Sequence, residues 1–541
     1  MGEVDDEEVA AAGLVYVTTR DAAVPLVEEL LGPVLEDETP RLVESAGGNS
    51  ILLVEEEELV NLAGFFHDNF HRCGGFATHT SLAEARHAIT SDPGDTAGPP
   101  DEETLFAGEA AAINRMLPVL DRTRILATIM GLSSFPTRYY TSSSGVSAAN
   151  WLRDRWNELA AGKSHVSVSL YPHAGWAQPS VMMTILGTDL PDEFVVVGGH
   201  LDSITFGGGN APGADDDASG VATFTEIARV FLADGVRFRR TVVFIAYAAE
   251  EVGLRGSNEI ADQWAAESRN VRGVMQLDMT AFKGTPTADI VLFEDYTSPT
   301  MTNALETLAN TYLPTLVISR DSCGYACSDH APWFQNGFPT VLPFESQMDD
   351  YNPNIHSGGD TMAFFGNNAD HAIKFARLGL AWVVQQARVA GAAPTGVIRL
   401  AQVAYDIPGI DAPGEFVELY NTGTTAMNVG GWRLATPTIS KTLPAGTSVP
   451  AGGYLTIARD AAGFATRYGQ SADLQRCPAL PNGASTLTLR NSAGVAVDEV
   501  RWESTGWNIT APTGSSIYRT NPGGTDSNTV SDWSVAPTDP H

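Results

Sequence analysis

The chain has 541 residues, too many for one ordinary core and typical of about three domains of ~150 residues each. Its 65 acidic and 32 basic residues give a net charge of −33, which disfavours nucleic acid and anionic membranes as partners. No apolar run approaches the ~18 residues of a transmembrane helix, and the acidic N-terminus lacks the pattern of a signal peptide. Either a signal peptide has been removed or the protein is cytosolic.

Residues 1–92 alternate short strand-like runs with helical ones. The runs "GLVYVTT" and "SILLVEE" predict strands, whereas "AAVPLVEELLG" and "EELVNLAGFFHDNF" predict helices. The Pro-, Gly- and acid-rich residues 93–104 are typical of an exposed linker. We therefore expect a small α+β domain followed by a linker.

Residues 105–391 alternate apolar strands with amphipathic helices. The strands "EFVVVGG", "RTVVFIAYA", "GVMQLDM" and "PTVLPF" are short, apolar and bounded by turns, and helices such as "SGVATFTEIARVFLADG" lie between them. Strands that are apolar on both faces and alternate with helices predict an α/β domain with a mostly parallel central sheet. In such sheets the ligand site forms at the carboxyl ends of the strands.

Residues 397–541 show a different sequence pattern, with almost no helical periodicity. Alternating runs such as "GEFVELYNTG", "GGYLTIARD" and "STLTLRNSAG" are separated by Gly, Asn and Pro turns. This pattern predicts a small antiparallel β-sandwich.

Histidine and acidic residues follow the predicted strands of the middle region. They gather in loops that a parallel sheet brings together: His200, Asp202, Asp215, Asp216, Asp217, Glu250, Glu251, Asp278 and His356. Carboxylates crowded at one end of a sheet cost several kcal/mol unless a cation neutralises them. Histidine with carboxylates and no thiolate suits zinc, manganese or cobalt better than calcium. Two histidines and three carboxylates are too many for one tetrahedral zinc but suit two metals with a bridging carboxylate.

Two of the four cysteines, Cys323 and Cys327, lie four residues apart and could close a small loop. From spacing alone, a disulfide, a reduced pair and a metal site all stay open. A disulfide would indicate an oxidising compartment.

The ordered motifs of the middle region carry a family resemblance. The segments "GGHLDS", "APGADDDASG", "AYAAEEVGLRGS", "QLDMT", "DSCGYACSDHAPW", "PFES" and "DDYNPNIHS" resemble those of the secreted bacterial leucyl aminopeptidases, within the dizinc aminopeptidase family. The resemblance covers residues 105–391 almost continuously and implies the zinc exopeptidase fold with two zinc ions per chain.

The resemblance also implies a role for each candidate residue. Asp216 would bridge the two zinc ions, with His200 and Asp278 as terminal ligands of different metals. Glu251 and His356 would complete the two sets of ligands. Glu250 would act as general base toward a metal-activated water, and Asp202 would orient the His200 imidazole.

The resemblance further implies a pocket for a large apolar N-terminal residue of a peptide, with leucine preferred. One wall would be the Cys323–Cys327 disulfide. The lining residues implied are Met279, Tyr325, Leu342, Phe344, Met348, Tyr351 and Ile355.

The regions on either side of residues 105–391 also resemble parts of known protein families. The segment "DNFHRCGGFATHTS" resembles the end of the propeptide of the same aminopeptidases, which implies a secreted proenzyme whose residues 1–92 act as intramolecular chaperone and inhibitor. The segment "GEFVELYNTGTTAMNVGGWRLA" resembles a lamin-tail domain. A monomer is the default expectation.

Other functions remain open on the same residues. A glutaminyl cyclase or a carboxypeptidase could use the same fold, but the full set of five ligand positions and the apolar pocket favour an aminopeptidase. A binding or adhesion protein, in which the β-sandwich carries the function, is disfavoured by the intact Glu250.

Overall fold

The structure is a computed structural model that describes residues 6–32, 41–70, 75–90, 107–206, 208–390, 398–423, 426–491, 496–504, 507, 509–522 and 529–540. The chain divides into two compact units. One comprises residues 1–105 and 109–391, and the other comprises residues 106–108 and 392–541. The predicted linker 93–104 lies outside the described residues.

The N-terminal part of the first unit is a small sheet with helices on it. Within the described residues its strands run in the order β2-β3-β1-β4, and all three pairings are antiparallel. Its elements are α1 Asp6–Ala11, β1 Leu14–Arg20, α2 Val24–Leu31, β2 Leu42–Ala46, β3 Asn49–Glu55, α3 Leu59–Phe70, β4 Ala77–His79 and α4 Leu82–Thr90. This is the α+β arrangement that the alternating runs predict.

The rest of the first unit is built on a second sheet of order β11-β10-β12-β9-β7-β8-β6-β5. Its central strands β9, β7 and β8 are parallel, whereas β5, β6 and the β10–β12 pair add antiparallel contacts, so the sheet is mixed. The strands are β5 Val166–Tyr171, β6 Ser180–Ile185, β7 Leu190–His200, β8 Arg240–Tyr247, β9 Asn270–Gln276, β10 Ile290–Phe293, β11 Ile318–Asp321 and β12 Thr340–Phe344.

Helices cover both faces of this sheet, as the continuous apolar strands require. Val195 and Val197 point into a core shared with α8 and α12, and Val196 packs on the opposite face with Trp264 and Trp333 of α9 and α11. The helices are α5 Ala107–Met116, α6 Arg122–Ser133, α7 Ser143–Ala160, α8 Ala218–Asp234, α9 Arg255–Ala266, α10 Pro299–Tyr312, α11 His330–Gln335 and α12 Ala372–Ala387. No helix among the described residues is long and apolar enough to cross a membrane.

The described part of the second unit has two larger sheets, antiparallel except for the parallel β19–β20 pair, and a small β15–β18 sheet. This is the mainly antiparallel arrangement that the alternating pattern predicts. One of the larger sheets has the order β20-β19-β14-β13-β23-β24 and the other β17-β16-β21-β22. Its strands are β13 Ile398–Ala404, β14 Phe416–Asn421, β15 Met427–Asn428, β16 Arg433–Ala435, β17 Ser440–Thr442, β18 Ser448–Val449, β19 Tyr454–Ala458, β20 Leu474–Gln475, β21 Ser485–Arg490, β22 Ala496–Trp502, β23 Ser515–Arg519 and β24 Trp533–Pro537.

Apolar side chains from both sheets of this unit form one core, in which the Trp502 ring stacks on Tyr405 at 4.9 Å. One helix, α13 (Ala461–Tyr468), interrupts the strands and corrects the expectation of an almost helix-free region. Asp460 caps its first turn by accepting from the amides of Ala462 and Gly463, and Gly469 ends it in the left-handed conformation. The capping residue Asp460 and the terminating Gly469 are each a single-residue signal. The alternating strand patterns on either side of α13 obscure them in the sequence.

Candidate metal centre and active site

The ends of three adjacent strands supply most of the candidate site. His200 is the last residue of β7, Glu250 and Glu251 follow β8 by three and four residues, and Asp278 follows β9 by two. Because β9, β7 and β8 are neighbouring parallel strands, their carboxyl ends meet at one edge. Asp216 and His356 reach this edge from loops.

Asp216 lies at the centre of the cluster. Its Oδ1 is 2.9 Å from His200 Nε2, and its Oδ2 is 3.2 Å from His356 Nε2. Asp278 Oδ1 lies 3.6 Å from His200 Nε2, and Glu251 Oε2 lies 2.9 Å from His356 Nε2. His200 and Asp278 therefore share one side of Asp216, and Glu251 and His356 share the other. This arrangement favours one metal for each pair over the expectation that His200 and Asp278 serve different metals.

All of these side chains are buried, and burial makes their negative charge costly. Burial raises the pKa of Glu250 well above its ordinary range and raises that of Glu251 to about 7. Burial also acts to raise the pKa of Asp216, but hydrogen bonds with His200 and His356 outweigh it and lower that pKa. Burial acts to lower the pKa of His356, and the charges of Glu251 and Asp216 instead raise it to about 10. Protonated imidazoles thus supply positive charge that offsets the buried carboxylates. A bound divalent cation would supply that positive charge instead.

The donor set fits a metal of the zinc type. Two groups of residues have ligand atoms within 4.8 Å of one another: His200, Asp217 and Asp278, and His200, Asp216 and Glu251. In the described part of the chain, Glu250 Oε2 and Asp278 Oδ1 are buried without a hydrogen-bond partner. Imidazole and carboxylate groups without a thiolate are ligands that zinc, manganese and cobalt accept.

The other two members of the acidic triplet hold the backbone. Asp217 accepts hydrogen bonds from the amides of His200, Gly220 and Met279 and so caps the first turn of α8. Asp215 accepts from the amide of Ala281. The peptide bond between Asp216 and Asp217 is cis.

Glycine residues let these groups come together. At Gly199 a Cβ atom would lie 2.6 Å from Asp217 Oδ2, and at Gly220 it would lie 2.0 Å from Leu277 O. The glycines beside His200 and at the start of α8 therefore permit the helix, the strand end and the Asp217 carboxylate to approach closely.

Asp202 lies beside His200, although its hydrogen bonds go elsewhere. Its Oδ1 is 3.6 Å from His200 Nδ1, which is beyond hydrogen-bonding distance. Its two oxygens accept from the amides of Glu250 and Glu251, at 3.0 and 3.2 Å. Asp202 thus fixes the backbone that carries Glu250 and Glu251.

An apolar pocket opens beside Asp278. The structure brings all seven expected lining residues to its wall, together with Phe293, Cys327 and Ser328. The Cys323–Cys327 disulfide is formed, and both cysteines pack in the same apolar cluster. The pocket residues are Met279, Tyr325, Leu342, Phe344, Met348, Tyr351 and Ile355.

Several residues at the site escaped the sequence analysis. Ser328 Oγ donates to Asp278 Oδ2 at 2.5 Å, and Asp360 Oδ2 accepts from the amides of Asp215 and Asp216 at 3.1 and 3.0 Å. Arg138 lies buried under the loop that carries Asp216. Ser328 stands next to the cysteine motif, which is a usable signal, but Asp360 and Arg138 are 144 and 78 residues from Asp216. No local pattern ties them to the site.

Comparison with known proteins identifies related chains. The sequence profile of peptidase family M28 matches residues 180–381, and that of the lamin tail domain matches residues 391–504. A probable aminopeptidase of Saccharomyces cerevisiae is 31% identical over 338 residues, which are 60% of this chain and 87% of the yeast protein. Leucine aminopeptidase 1 of Metarhizium robertsii is 35% identical over 280 residues, which are 49% of this chain and 70% of the fungal protein.

Two solved structures from Legionella pneumophila share the fold. LapB matches with a TM-score of 0.59 and 28% identity over 69% of this chain and 100% of its own. The LapA aminopeptidase matches with a TM-score of 0.59 and 26% identity over 69% of this chain and 98% of its own.

We expect zinc to raise the melting temperature of the metal-stripped protein, because a cation relieves the repulsion among the buried carboxylates. The rise should be markedly smaller in His356→Ala, which removes a group 3.2 Å from Asp216. His173→Ala is the matched control, since His173 is buried but pairs with Glu259. Thermal scans with and without zinc measure the effect. An equal zinc-induced rise in all three proteins would contradict the assignment.

In the metal-stripped protein we expect Glu250→Gln to be more stable than wild type at pH 8. Burial raises the pKa of Glu250 in the folded state, so ionisation costs stability as the pH rises above the ordinary range of a glutamate. The gain in the free energy of unfolding should be larger at pH 8 than at pH 5. Denaturant titrations at the two pH values measure it, and a variant less stable than wild type at pH 8 refutes the electrostatic account.

Proposed function

The chain belongs to peptidase family M28, and on that premise we propose that it is the precursor of a secreted dizinc aminopeptidase. The enzyme removes large apolar residues, leucine foremost, from peptides with a free N-terminus. One observation carries the proposal: Asp216 lies between two pairs of ligand-type side chains, with Glu250 and an apolar pocket beside them.

The residues around Asp216 divide naturally between two ions. His200 and Asp278 would hold one zinc, Glu251 and His356 the other, and Asp216 would bridge them. When bound, zinc lowers the pKa of a water molecule and polarises the scissile carbonyl. Glu250 is a buried carboxylate next to Glu251, with an oxygen unengaged within the described residues. It accepts the proton of the attacking water and delivers it to the leaving amine.

The surroundings favour an amino terminus over a carboxyl terminus. Buried carboxylates attract a protonated α-amine, whereas a substrate carboxylate needs a basic partner. The described residues that line the pocket include no lysine or arginine. A carboxypeptidase would lack its anchor there, so the pocket suits the side chain of a large apolar first residue.

Contacts of the N-terminal domain, described over residues 6–32, 41–70 and 75–90, support an inhibitory role for it. His67 of α3 lies with its ring 4.9 Å from the His356 ring, and Phe206 lies 5.1 Å from the same ring. A Cβ atom on Gly64 would lie 3.3 Å from the Phe206 ring. Helix α3 therefore packs directly on a candidate metal ligand and on its aromatic neighbour.

Polar contacts hold this domain to the loop that follows Glu251. Thr78 donates from its amide to Gly253 O at 2.9 Å, and Asn258 Nδ2 donates to Thr78 O at 2.9 Å. Glu56 pairs with Arg255 at 2.7 Å. A shared apolar cluster that includes Phe66, Phe76, Tyr140, Ile204 and Val252 seals the contact.

The enzyme would act outside the cell. The Cys323–Cys327 disulfide supports secretion, since such bonds persist in oxidising compartments. The lamin-tail unit would attach or target the enzyme, and the working unit would be a monomer.

We expect Glu250→Gln to lower kcat on leucine p-nitroanilide by about 10²–10⁴-fold while zinc content stays at the wild-type level. The loss follows because the amide cannot accept the proton. The N-acetylated substrate is the matched control and should resist the wild-type enzyme. Cleavage of the blocked substrate, or full activity of the variant, would reject the aminopeptidase mechanism.

We expect a cut between the N-terminal domain and the rest of the chain to increase activity by about tenfold or more. A protease recognition site is inserted within residues 91–106, and the folded protein is cut after purification. The same site inserted within residues 391–397 serves as the control and should leave the rate unchanged. Activity on leucine p-nitroanilide is followed before and after cutting and separation under mild denaturant. Equal rates in every sample would show that the N-terminal domain does not inhibit.

A further inference from the structure

A fully buried arginine lies beneath the two loops that supply His200 and Asp216. Arg138 sits between α6 and α7, and its side chain has no exposed surface. Its guanidinium donates only to main-chain oxygens among the hydrogen bonds described for it: Leu201 O at 2.7 Å, Gly213 O at 2.9 Å, Asp216 O and Leu132 O at 3.5 Å, and Pro212 O. A buried cation bound to carbonyls rather than to one carboxylate ties backbone segments together.

These carbonyls belong to two different stretches of chain. Leu201 directly follows His200, whereas Pro212, Gly213 and Asp216 form the loop before α8. The planar guanidinium therefore spans from the end of β7 to the acidic loop. The amide of Arg138 also donates to Ser203 Oγ at 3.0 Å, and Ser203 Oγ donates to Ala211 O at 2.8 Å, which closes a second link between the same stretches.

The loop is shaped to receive the guanidinium. Gly213 has φ 48°, and a Cβ atom there would lie 2.7 Å from Arg138 Nη2 and 2.4 Å from Asp216 O. A side chain at this position would displace the arginine or the peptide that carries Asp216. Glycine at 213 is thus explained by the close approach of Arg138.

Asp360 holds the other main-chain group of Asp216. Its Oδ2 accepts from the Asp216 amide at 3.0 Å, while Arg138 approaches the Asp216 carbonyl at 3.5 Å. The main chain of Asp216 is therefore fixed at both its amide and its carbonyl. Its side chain then has little freedom to move relative to His200, which lies 2.9 Å away.

We propose that Arg138 is a positioning residue that sets the separation of His200 from Asp216 and thereby the affinity of the site for zinc. This inference rests on the metal site of the proposed function. The positive charge of Arg138 also offsets part of the repulsion among the surrounding carboxylates of Asp202, Asp216, Asp217 and Asp360. A lysine keeps that charge but offers a single ammonium in place of a planar fork, so it cannot hold both loops.

The test compares Arg138→Lys with Arg240→Lys in the full chain. Arg240 is a buried arginine at the start of β8, the opposite end of the strand from Glu250, and it donates to Gln386 O and pairs with Glu193. Zinc retention is measured by competition with a chromogenic chelator. Values of kcat and KM are measured on leucine p-nitroanilide after each protein, the wild type included, has been cut within residues 91–106 and separated from its N-terminal domain. We expect Arg138→Lys to bind zinc about 10–100-fold more weakly and to lose kcat with little change in KM. Excess zinc should restore part of the rate, and Arg240→Lys should retain wild-type zinc affinity.

The outcomes separate this inference from the proposed function. A wild-type protein that neither retains zinc nor cleaves the substrate contradicts the proposed function itself. If the wild type does both and a folded Arg138→Lys equals it in zinc affinity and kcat, the positioning role is overturned. Should Arg138→Lys fail to fold, Ser203→Ala replaces it. That variant removes the acceptor of the Arg138 amide and is expected to weaken zinc retention, and unchanged retention overturns the inference.

Discussion

The main physical constraint on this structure is the free-energy cost of burying several carboxylates around Asp216. Glu250, Glu251, Asp278 and Asp216 meet at one edge of the sheet with almost no exposed surface. Isolated charges in such a place cost several kcal/mol each, so the arrangement is tenable only with compensating positive charge. Without metal, the compensation comes from imidazolium groups, which is why burial fails to keep the pKa of His356 low. In the proposed function the same imidazoles would serve as ligands of a divalent cation, which would then supply the charge.

Main-chain hydrogen bonds distinguish the acidic residues with structural roles from those with chemical ones. Asp202 and Asp217 each accept from two or more backbone amides, and Asp360 accepts from two as well. Glu250 and Asp278 each keep a buried oxygen without such a partner within the described residues. A carboxylate that accepts several amides is already stabilised and fixes the loop, whereas one with a spare oxygen can take a proton or a metal.

The N-terminal domain also contacts the candidate site. It packs on the loop after Glu251 and on His356, which itself lies in a loop. Loops of this kind are the least constrained parts of an α/β site.

The sequence by itself determined the elements, the order of the motifs and the types of ligand. Continuous apolar strands, glycine-bounded turns and strand-end acids are local signals, and they sufficed to predict the α/β sheet, the β-sandwich and a cluster of histidine and acidic residues. The resemblance to aminopeptidases then singled out the candidates His200, Asp216, Glu250, Glu251, Asp278 and His356 from that cluster. Only the tertiary structure decided how these residues pair across Asp216, placing His200 with Asp278 and His356 with Glu251. It also revealed Arg138 and Asp360, whose contacts with the acidic loop join residues far apart in the chain. Spacing along a sequence records which strand end a residue follows, but the distance between two loops depends on the packing of the whole sheet.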